Sequence, residues 1–159
     1  MKRPWNTISP PVYSLITYDD NNSLNMNICT YVSPISMKPK MYMIAIDYTS
    51  KTFKNLEKSD KVVLQLLSSN NLKVIRKLGK VSGRIYDKER YLQSYDLLEN
   101  WKDHTILKDI SAVLELEKKS VMEHHGDHAI FFFDVTTFKT FSETNILSFQ
   151  DLVKSRIIL

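Results

Sequence analysis

Cysteine, glycine and long apolar runs are all scarce in this chain of 159 residues, which has one cysteine and three glycines. Cys29 alone cannot form an internal disulfide, and no activating motif lies near it, so we expect a buried strand residue rather than a reactive thiol. The opening residues MKRPWNTISPPVY lack the apolar core of a signal peptide, and no run approaches the roughly twenty apolar residues of a membrane span. These absences predict a cytoplasmic protein with no membrane partner.

The chain also lacks a strong excess of charge of either sign. It has 22 basic and 18 acidic residues, a formal net charge of +4, and basic residues that are scattered along the sequence. One local basic group, which a solvated helix face explains, consists of Lys73, Arg76, Lys77 and Lys80. We therefore expect no nucleic-acid partner. A hydrophobic content of 43% with 25% charged residues is ordinary for a folded domain, and the length predicts a single domain over residues 1–159.

Runs rich in β-forming residues predict a mainly β protein. Strands are predicted over 12–18, 25–30, Lys40–Asp47 and 61–68, and a long hairpin is predicted whose strands meet at HHGDH. The nearly continuous apolar run of Lys40–Asp47 predicts a strand covered on both faces. Pro34 predicts that 32–36 leaves the sheet, because proline cannot donate to a ladder.

Helical spacing is confined to short segments. Helices are predicted over 52–58, over 70–79 with Gly79 as the stop, and over 87–107. The last of these depends on the three- and four-residue spacing of Tyr91, Tyr95, Leu98 and Trp101. The final segment, 148–159, predicts a helix and an apolar tail, which must be buried in its own barrel or in a partner subunit.

The stretch 23–55 interleaves apolar strand residues with small hydrogen-bonding residues and is the candidate ligand site. Thr49, Ser50 and Thr52 precede or open the predicted helix, with Lys51 among them. Hydroxyls, backbone N–H groups and a lysine at such a position can hold an anion such as phosphate. The alternative is that Thr49 or Ser50 only caps the helix.

Two other kinds of site are weighed around the sequence HHGDH. A metal could be held by His124, His125 and His128 with Asp127, but adjacent strand residues point to opposite faces, so we expect no metal. A Ser-His-Asp hydrolase is disfavoured because Asp127 and His128 are neighbours and no serine stands on a nucleophile elbow. A turn position without a functional role is the simplest alternative for His128.

Several motifs, in their order along the chain, resemble the flavin reductase-like family of FMN-binding split β-barrels, the type of flavoredoxin and NAD(P)H:flavin oxidoreductases. They are PPVYSLITY, NMNICTYVSPIS, TSKTFKNL, KVVLQLL, SGRIYDK, and LELE followed by GDHAIF. The resemblance spans nearly the whole chain. It implies an antiparallel split β-barrel with a few peripheral helices, a homodimer, and FMN bound close to the subunit interface.

The same resemblance implies the positions of the flavin contacts. The strand and turn that contact FMN correspond to Asn25, Met26, Asn27, Thr30, Tyr31 and Ser33, and the phosphate motif corresponds to Thr49, Ser50 and Thr52 with Lys51 beside it. The GDH motif falls on 126–128 and places His128 beside the flavin cavity as the candidate catalytic residue. The implied activity is reduction of bound FMN by NADH or NADPH, with electrons passing to free flavin or a partner redox protein.

Two functions remain open from the sequence. A flavin performs the redox step itself, which agrees with the lack of a convincing catalytic constellation. The intact GDH motif favours the reductase. A bulky run follows it where the family usually offers a glycine, namely Phe131, Phe132 and Phe133. We expect this run to narrow the cavity, which favours an FMN-binding electron carrier or sensor without nicotinamide turnover.

Overall fold

Antiparallel β-structure dominates the computed structural model, which describes residues 3–158. In chain order the elements are β1 (Tyr13–Tyr18), β2 (Leu24–Met26), β3 (Val32–Met37), β4 (Lys40–Asp47), α1 (Lys51–Leu56), β5 (Lys61–Leu66), α2 (Ile75–Gly79), α3 (Lys88–Ser94), β6 (Leu98–Trp101), β7 (His104–Leu107), β8 (Ala112–Met122), β9 (His128–Thr140) and α4 (Phe149–Lys154). Short 3₁₀ segments cover Pro4–Asn6 and Ser69–Val74.

Seven strands form one curved sheet in the order β2-β1-β5-β8-β9-β4-β3, and β6 pairs with β7 separately. The sheet does not close, since β2 and β3 stand at its two ends. The connector 27–31 crosses this gap: Cys29 bridges Tyr13 of β1, and the Tyr31 carbonyl accepts from the Ala45 N–H of β4. The predicted mainly β, antiparallel split barrel with a few helices is confirmed.

Alternation along the central strands divides the apolar residues between two cores. Leu15 and Leu64 point into the barrel, where they meet Phe133 of β9. Their neighbours Ile16 and Val63 point outwards, into a second core beneath the helices and the β6–β7 hairpin, which we call the outer core. Because successive strand residues face opposite sides, β1 and β5 are buried on both faces.

The strand predicted at Lys40–Asp47 is confirmed, but the expectation that it is covered on both faces is wrong. Ile44 and Ile46 are buried in the barrel, whereas the alternate residues Met43 and Ala45 are only half-buried. The second face of β4 near its end is therefore available to form the wall of a site.

The prediction that Pro34 removes 32–36 from the sheet is also wrong. β3 pairs only with β4, and its register shifts between Pro34 and Ser36. Proline is tolerated at such a position, because an edge strand with a bulge does not need every N–H group for pairing.

The helix predicted over 87–107 is correct only at its start. α3 ends at Ser94, Asp96 adopts a positive φ of 51°, and the chain continues into the β6–β7 hairpin. Trp101 is buried in the outer core from this hairpin. The spacing of Trp101 from Tyr91 and Tyr95 resembles that of residues on one helical face. Trp101 is nevertheless buried as a strand residue, because the hairpin packs it into the core.

The three remaining helix predictions are confirmed: α1 covers Lys51–Leu56, α2 ends at Gly79, and α4 forms near the C-terminus. The apolar tail has its own burial site, because Ile157 is packed in the outer core of the same chain. It therefore does not require a partner subunit. No helix within residues 3–158 is long and apolar enough to cross a membrane.

Candidate functional site

A cleft of about 390 Å³ opens beside the connector 27–31. Its walls are the connector, the end of β4, the segment 49–52, the segment 78–83, and the side chains of Lys88 and His128. Small-molecule sites have volumes of about 300–1,000 Å³, so the cleft is large enough for a ligand.

Most of the residues predicted to form a ligand site meet in this cleft. Those that line it are Asn25, Asn27, Thr30, Tyr31, Thr49, Ser50, Lys51, Thr52 and His128. Two others do not line it. The Met26 side chain is fully buried in the outer core, because it follows Asn25 in a strand and points to the opposite face. Ser33 lies on β3, where its hydroxyl donates to the Pro34 carbonyl.

The hydroxyls of Thr49 and Ser50 are used within their own loop. The Asp47 carboxylate accepts from the Thr49 N–H at 2.6 Å and from its hydroxyl at 2.7 Å. These two bonds hold the pKa of Asp47 below its ordinary value. The Ser50 hydroxyl donates to the Asp47 carbonyl and accepts from the Phe53 N–H, so Ser50 is the N-cap of α1.

A buried polar network lies behind the same loop. The Asn25 amide donates to the hydroxyls of Thr17 at 3.3 Å and Thr52 at 3.1 Å, and the Asn55 amide donates to Thr17 at 3.0 Å. All four residues are almost completely buried. The network ties α1 to β1 and β2 and fixes the position of Lys51 at the edge of the cleft.

Lys88 is the important residue that sequence reasoning missed. Its side chain is nine-tenths buried, and its ammonium donates to the carbonyls of Met26 at 2.9 Å and Leu78 at 2.6 Å. Within residues 3–158 no carboxylate pairs with it, whereas Lys51 is paired with Asp19 at 2.9 Å. Burial, together with repulsion from Lys51, lowers the pKa of Lys88 to about 8. An ammonium has three donors, so one remains for an anion in the cleft.

The opposite end of the cleft is aromatic and acidic. His128 stands opposite Asp47 in the pairing of β4 with β9, and its Nδ1 lies 2.6 Å from the carboxylate of Asp127. Its ring packs edge-on against Tyr31, with centroids 5.4 Å apart. Tyr31 is 59% exposed and borders the opening. The cleft is therefore polarised, with lysines on one side and the Asp47 carboxylate beside two rings on the other.

The expectation that three phenylalanines narrow the cavity is wrong. Phe131 and Phe133 point into the barrel core. Phe132 points the other way and is half-buried opposite Met43. None of the three lines the cleft, so they are no evidence against entry of a nicotinamide.

No three histidine, cysteine or acidic side chains converge on a metal position within the described part of the chain. His124 and His125 are exposed, and the His124 N–H donates to the Tyr48 hydroxyl. Cys29 is buried as expected, and burial raises the pKa of its thiol to about 12. It is therefore protonated and unreactive at neutral pH.

The packing around Asn25 predicts a stability difference between two glycine variants. In Gly83→Ala the new Cβ would lie 2.3 Å from Asn25 Oδ1, and the amide cannot turn away without breaking its buried hydrogen bonds. We expect the free energy of unfolding in urea to fall by about 1–3 kcal/mol.

Gly126→Ala is the matched control, because its Cβ would meet no atom within 4 Å. Its stability should change by less than about 0.5 kcal/mol. Equal stabilities of the two variants would contradict the close contact between Gly83 and Asn25.

Comparisons with known proteins identify the family and the fold. Residues 5–154 match the family model described as the flavin reductase like domain. An FMN-binding protein from Thermus thermophilus superposes with a TM-score of 0.75 at 18% identity, covering 88% of this chain and 75% of that chain. Flavoredoxin from Methanosarcina acetivorans gives 0.73 at 18% identity, covering 91% and 75%.

A further similar structure is an NADH:FAD oxidoreductase from Streptomyces globisporus in complex with NAD and FAD fragments. Its TM-score is 0.70 at 16% identity, covering 84% of this chain and 76% of that chain. At these identities the structures show the fold alone, and a search of curated proteins finds no match. The family match over nearly the whole length shows that this chain belongs to the flavin reductase-like family.

Proposed function

We propose that the chain binds FMN in the cleft and is an NAD(P)H-dependent flavin reductase. The observation that carries the proposal is Lys88, a buried ammonium that faces a ligand-sized cleft and is paired with no carboxylate of residues 3–158. A buried charge of this kind is costly unless an anion compensates it. The FMN phosphate is such an anion.

The phosphate would lie at Lys88, Lys51 and Thr52. The Thr52 hydroxyl accepts from Asn25 and so keeps its own proton for donation. Thr49 and Ser50 are less suitable than the sequence implies. Their hydroxyls bond Asp47, whose carboxylate would repel a phosphate. The proposal therefore moves the phosphate from the beginning of the Thr-Ser-Lys-Thr stretch to its end.

The isoalloxazine would lie along the connector. Within residues 3–158 the backbone N–H groups of Ile28 and Thr30 have no hydrogen-bond acceptor, and both residues line the cleft. Free donors of this kind suit the polar edge of a flavin, while Ala45 on the outward face of β4 offers an apolar wall. The residues present thus fit FMN. When bound, FMN supplies the redox chemistry, taking electrons from NADH or NADPH and giving them to free flavin or a partner redox protein.

His128 and Tyr31 would border the face at which the nicotinamide arrives. Asp127 orients the imidazole through its contact with Nδ1, and Tyr31 supports the ring edge-on. The reductase is proposed over a carrier or sensor because the phenylalanine run does not narrow the cleft. The relative from Streptomyces globisporus, an NADH:FAD oxidoreductase, supports the same choice.

Replacing Lys88 tests the phosphate position. In Lys88→Gln we expect the dissociation constant for FMN to rise at least about tenfold, because one charge-assisted hydrogen bond to the phosphate is lost. In the wild type, FMN affinity should be constant between about pH 7, where the phosphate is a dianion, and the Lys88 pKa of about 8, and should fall as the pH rises further because the ammonium loses its proton. The variant should lose this pH dependence. Fluorescence titration measures both effects.

The pH dependence of stability checks the lowered pKa of Lys88 without any ligand. The folded pKa of Lys88 lies below that of the unfolded chain, so the ligand-free wild type should gain stability as the pH rises above about 8.

Lys73→Gln, at an exposed position outside the cleft, should leave FMN affinity unchanged. Equal FMN affinity of Lys88→Gln and wild type would place the phosphate elsewhere.

Replacing His128 separates binding from turnover. We expect His128→Ala to keep most of its FMN but to be reduced by NADH or NADPH roughly tenfold more slowly, because alignment of the nicotinamide is lost. Anaerobic stopped-flow absorbance measures the rate. His125→Ala, which is exposed and does not line the cleft, should react like the wild type. Wild-type protein that holds FMN but is bleached by neither nucleotide would be a carrier or sensor.

We also propose that the chain forms a homodimer. The apolar tail does not support this proposal, because it is buried in its own chain, but an exposed apolar surface does. An exposed apolar patch joins the edge strand β3 to the end of β9 and includes Met37, which is 77% exposed, and Phe138, which is 57% exposed. A groove of about 210 Å³ runs between them. Contiguous apolar surface beside an open sheet edge favours association with a second copy.

Light scattering tests this assembly. The wild type should have the mass of a dimer at micromolar concentration, and Phe138→Ser should shift it towards the monomer. Ile85→Ser is the matched control, because Ile85 is 86% exposed but does not line the groove between β3 and β9. A monomeric wild type would contradict the proposal.

A further inference from the structure

Two backbone carbonyls orient the nitrogen of Lys88. The carbonyls of Met26 and Leu78 lie 2.9 Å and 2.6 Å from Nζ, and each takes one N–H group. The tetrahedral nitrogen has one further position, and Lys88 lines the cleft. In the ammonium form this position holds a proton. In the neutral amine it holds the lone pair, so the nucleophilic position is open to a reagent in the cleft.

Burial keeps a larger share of Lys88 in the neutral form than an exposed lysine has. Its pKa falls from 10.5 to about 8, because burial disfavours the charge and Lys51 repels it. At pH 7 the neutral fraction is therefore roughly one tenth, a few hundredfold more than at the ordinary pKa. A less basic nucleophile is intrinsically weaker, which offsets part of this gain. We expect a net advantage of about tenfold in attack on a carbonyl carbon.

The charges around Lys88 favour an anionic reagent. Within residues 3–158 no carboxylate pairs with it. Its chain neighbours Asp87 and Glu89 accept from backbone N–H groups with their carboxylates. The Asp47 carboxylate lines the cleft but is engaged by the Thr49 hydroxyl. The other charged or titratable side chains that line the cleft include Lys51, Lys80 and His128.

Lys51 and Thr52 can place an anion beside this amine. Lys51 has donors left after its contact with Asp19 at 2.9 Å. Thr52 keeps its hydroxyl proton for donation, because its oxygen accepts from Asn25. Both residues line the cleft together with Lys88. A small reagent with a phosphate next to an electrophilic carbon would be held with that carbon at the amine. Acyl phosphates are reagents of this kind.

We propose that Lys88 is a modification site at which acyl phosphates transfer their acyl group to the side-chain nitrogen. The lone pair attacks the carbonyl carbon, a C–N bond forms, and the acyl C–O bond to the phosphate breaks. The departing phosphate takes one proton from the nitrogen and leaves as hydrogenphosphate. The amide product carries no charge and one N–H group, so one of the two backbone carbonyls loses its donor. No oxidant or further reactant is needed.

The modification would regulate the cleft, and this consequence rests on the proposed function. Acylation removes the ammonium that holds the FMN phosphate, and the acyl group occupies space beside it. Flavin binding would thus respond to the supply of activated acyl groups. The acyl transfer itself needs the amine and the anion position, and it does not need the flavin.

Peptide mass spectrometry after treatment with acetyl phosphate tests the proposal. Lys73, which is exposed and outside the cleft, is the reference within the same chain. We expect Lys88 to be acetylated at least about tenfold faster than Lys73 at pH 7. The Lys88 rate should rise with pH and level off above about pH 8. The N-hydroxysuccinimide ester of acetic acid transfers the same group without a phosphate, and its preference for Lys88 over Lys73 should be smaller.

Replacing Lys51 isolates the anion position. Lys51→Gln should lower the preference of acetyl phosphate for Lys88 at least about tenfold, measured relative to that of the ester. Lys54→Gln, an exposed change on the same helix and outside the cleft, should leave this preference unchanged. Equal preference for Lys88 with both reagents, or a Lys88 rate no greater than that of Lys73, overturns the proposal.

FMN titration of the acetylated protein tests the regulatory consequence. We expect its dissociation constant to rise at least about tenfold over that of untreated protein. Selective acetylation of Lys88 with unchanged FMN affinity, or a wild type that does not bind FMN, would overturn the proposed function and leave the modification site in place.

Discussion

The site depends on one buried hydrogen-bonded group, the Asn25 amide between the hydroxyls of Thr17 and Thr52. Polar groups that lose water must find partners, so these side chains can satisfy one another in only a narrow range of positions. The bond to Thr52 holds the first turn of α1 against β2, which places Lys51 at the edge of the cleft. The same amide leaves no room for a side chain at residue 83. A single polar contact thus helps to set the shape of the cleft.

The polarity of the cleft follows from the fold around this contact. α3 begins at Lys88, and its position beneath β2 carries the ammonium into the interior, where two carbonyls but no carboxylate of the described chain receive it. The hairpin of β8 and β9 brings His128 opposite Asp47 at the other end. An anionic group is therefore favoured beside Lys88, and a ring system is favoured beside Tyr31. This separation would give the proposed flavin one preferred direction in the cleft.

The sequence predicts the barrel well because alternation is a local property. In β1 and β5 adjacent residues enter different cores, and the period of two is visible without any tertiary information. The candidate loop at 49–52 was also visible, since small polar residues before a helix are a local signal. Trp101 was misassigned because its burial depends on a hairpin that local spacing does not reveal. Lys88 was missed because its burial also depends on tertiary packing, and nothing in the local sequence distinguishes it from an exposed lysine.

We propose that the cationic end of the cleft holds the phosphate of a flavin. Riboflavin has the ring system and the ribityl chain of FMN but no phosphate, so a comparison of the two ligands isolates that group. Titration of wild-type protein at pH 7 should give a dissociation constant for FMN at least about tenfold below that for riboflavin, as expected for a charge-assisted contact. Equal affinities for riboflavin and FMN would show that the cationic end of the cleft does not hold the phosphate.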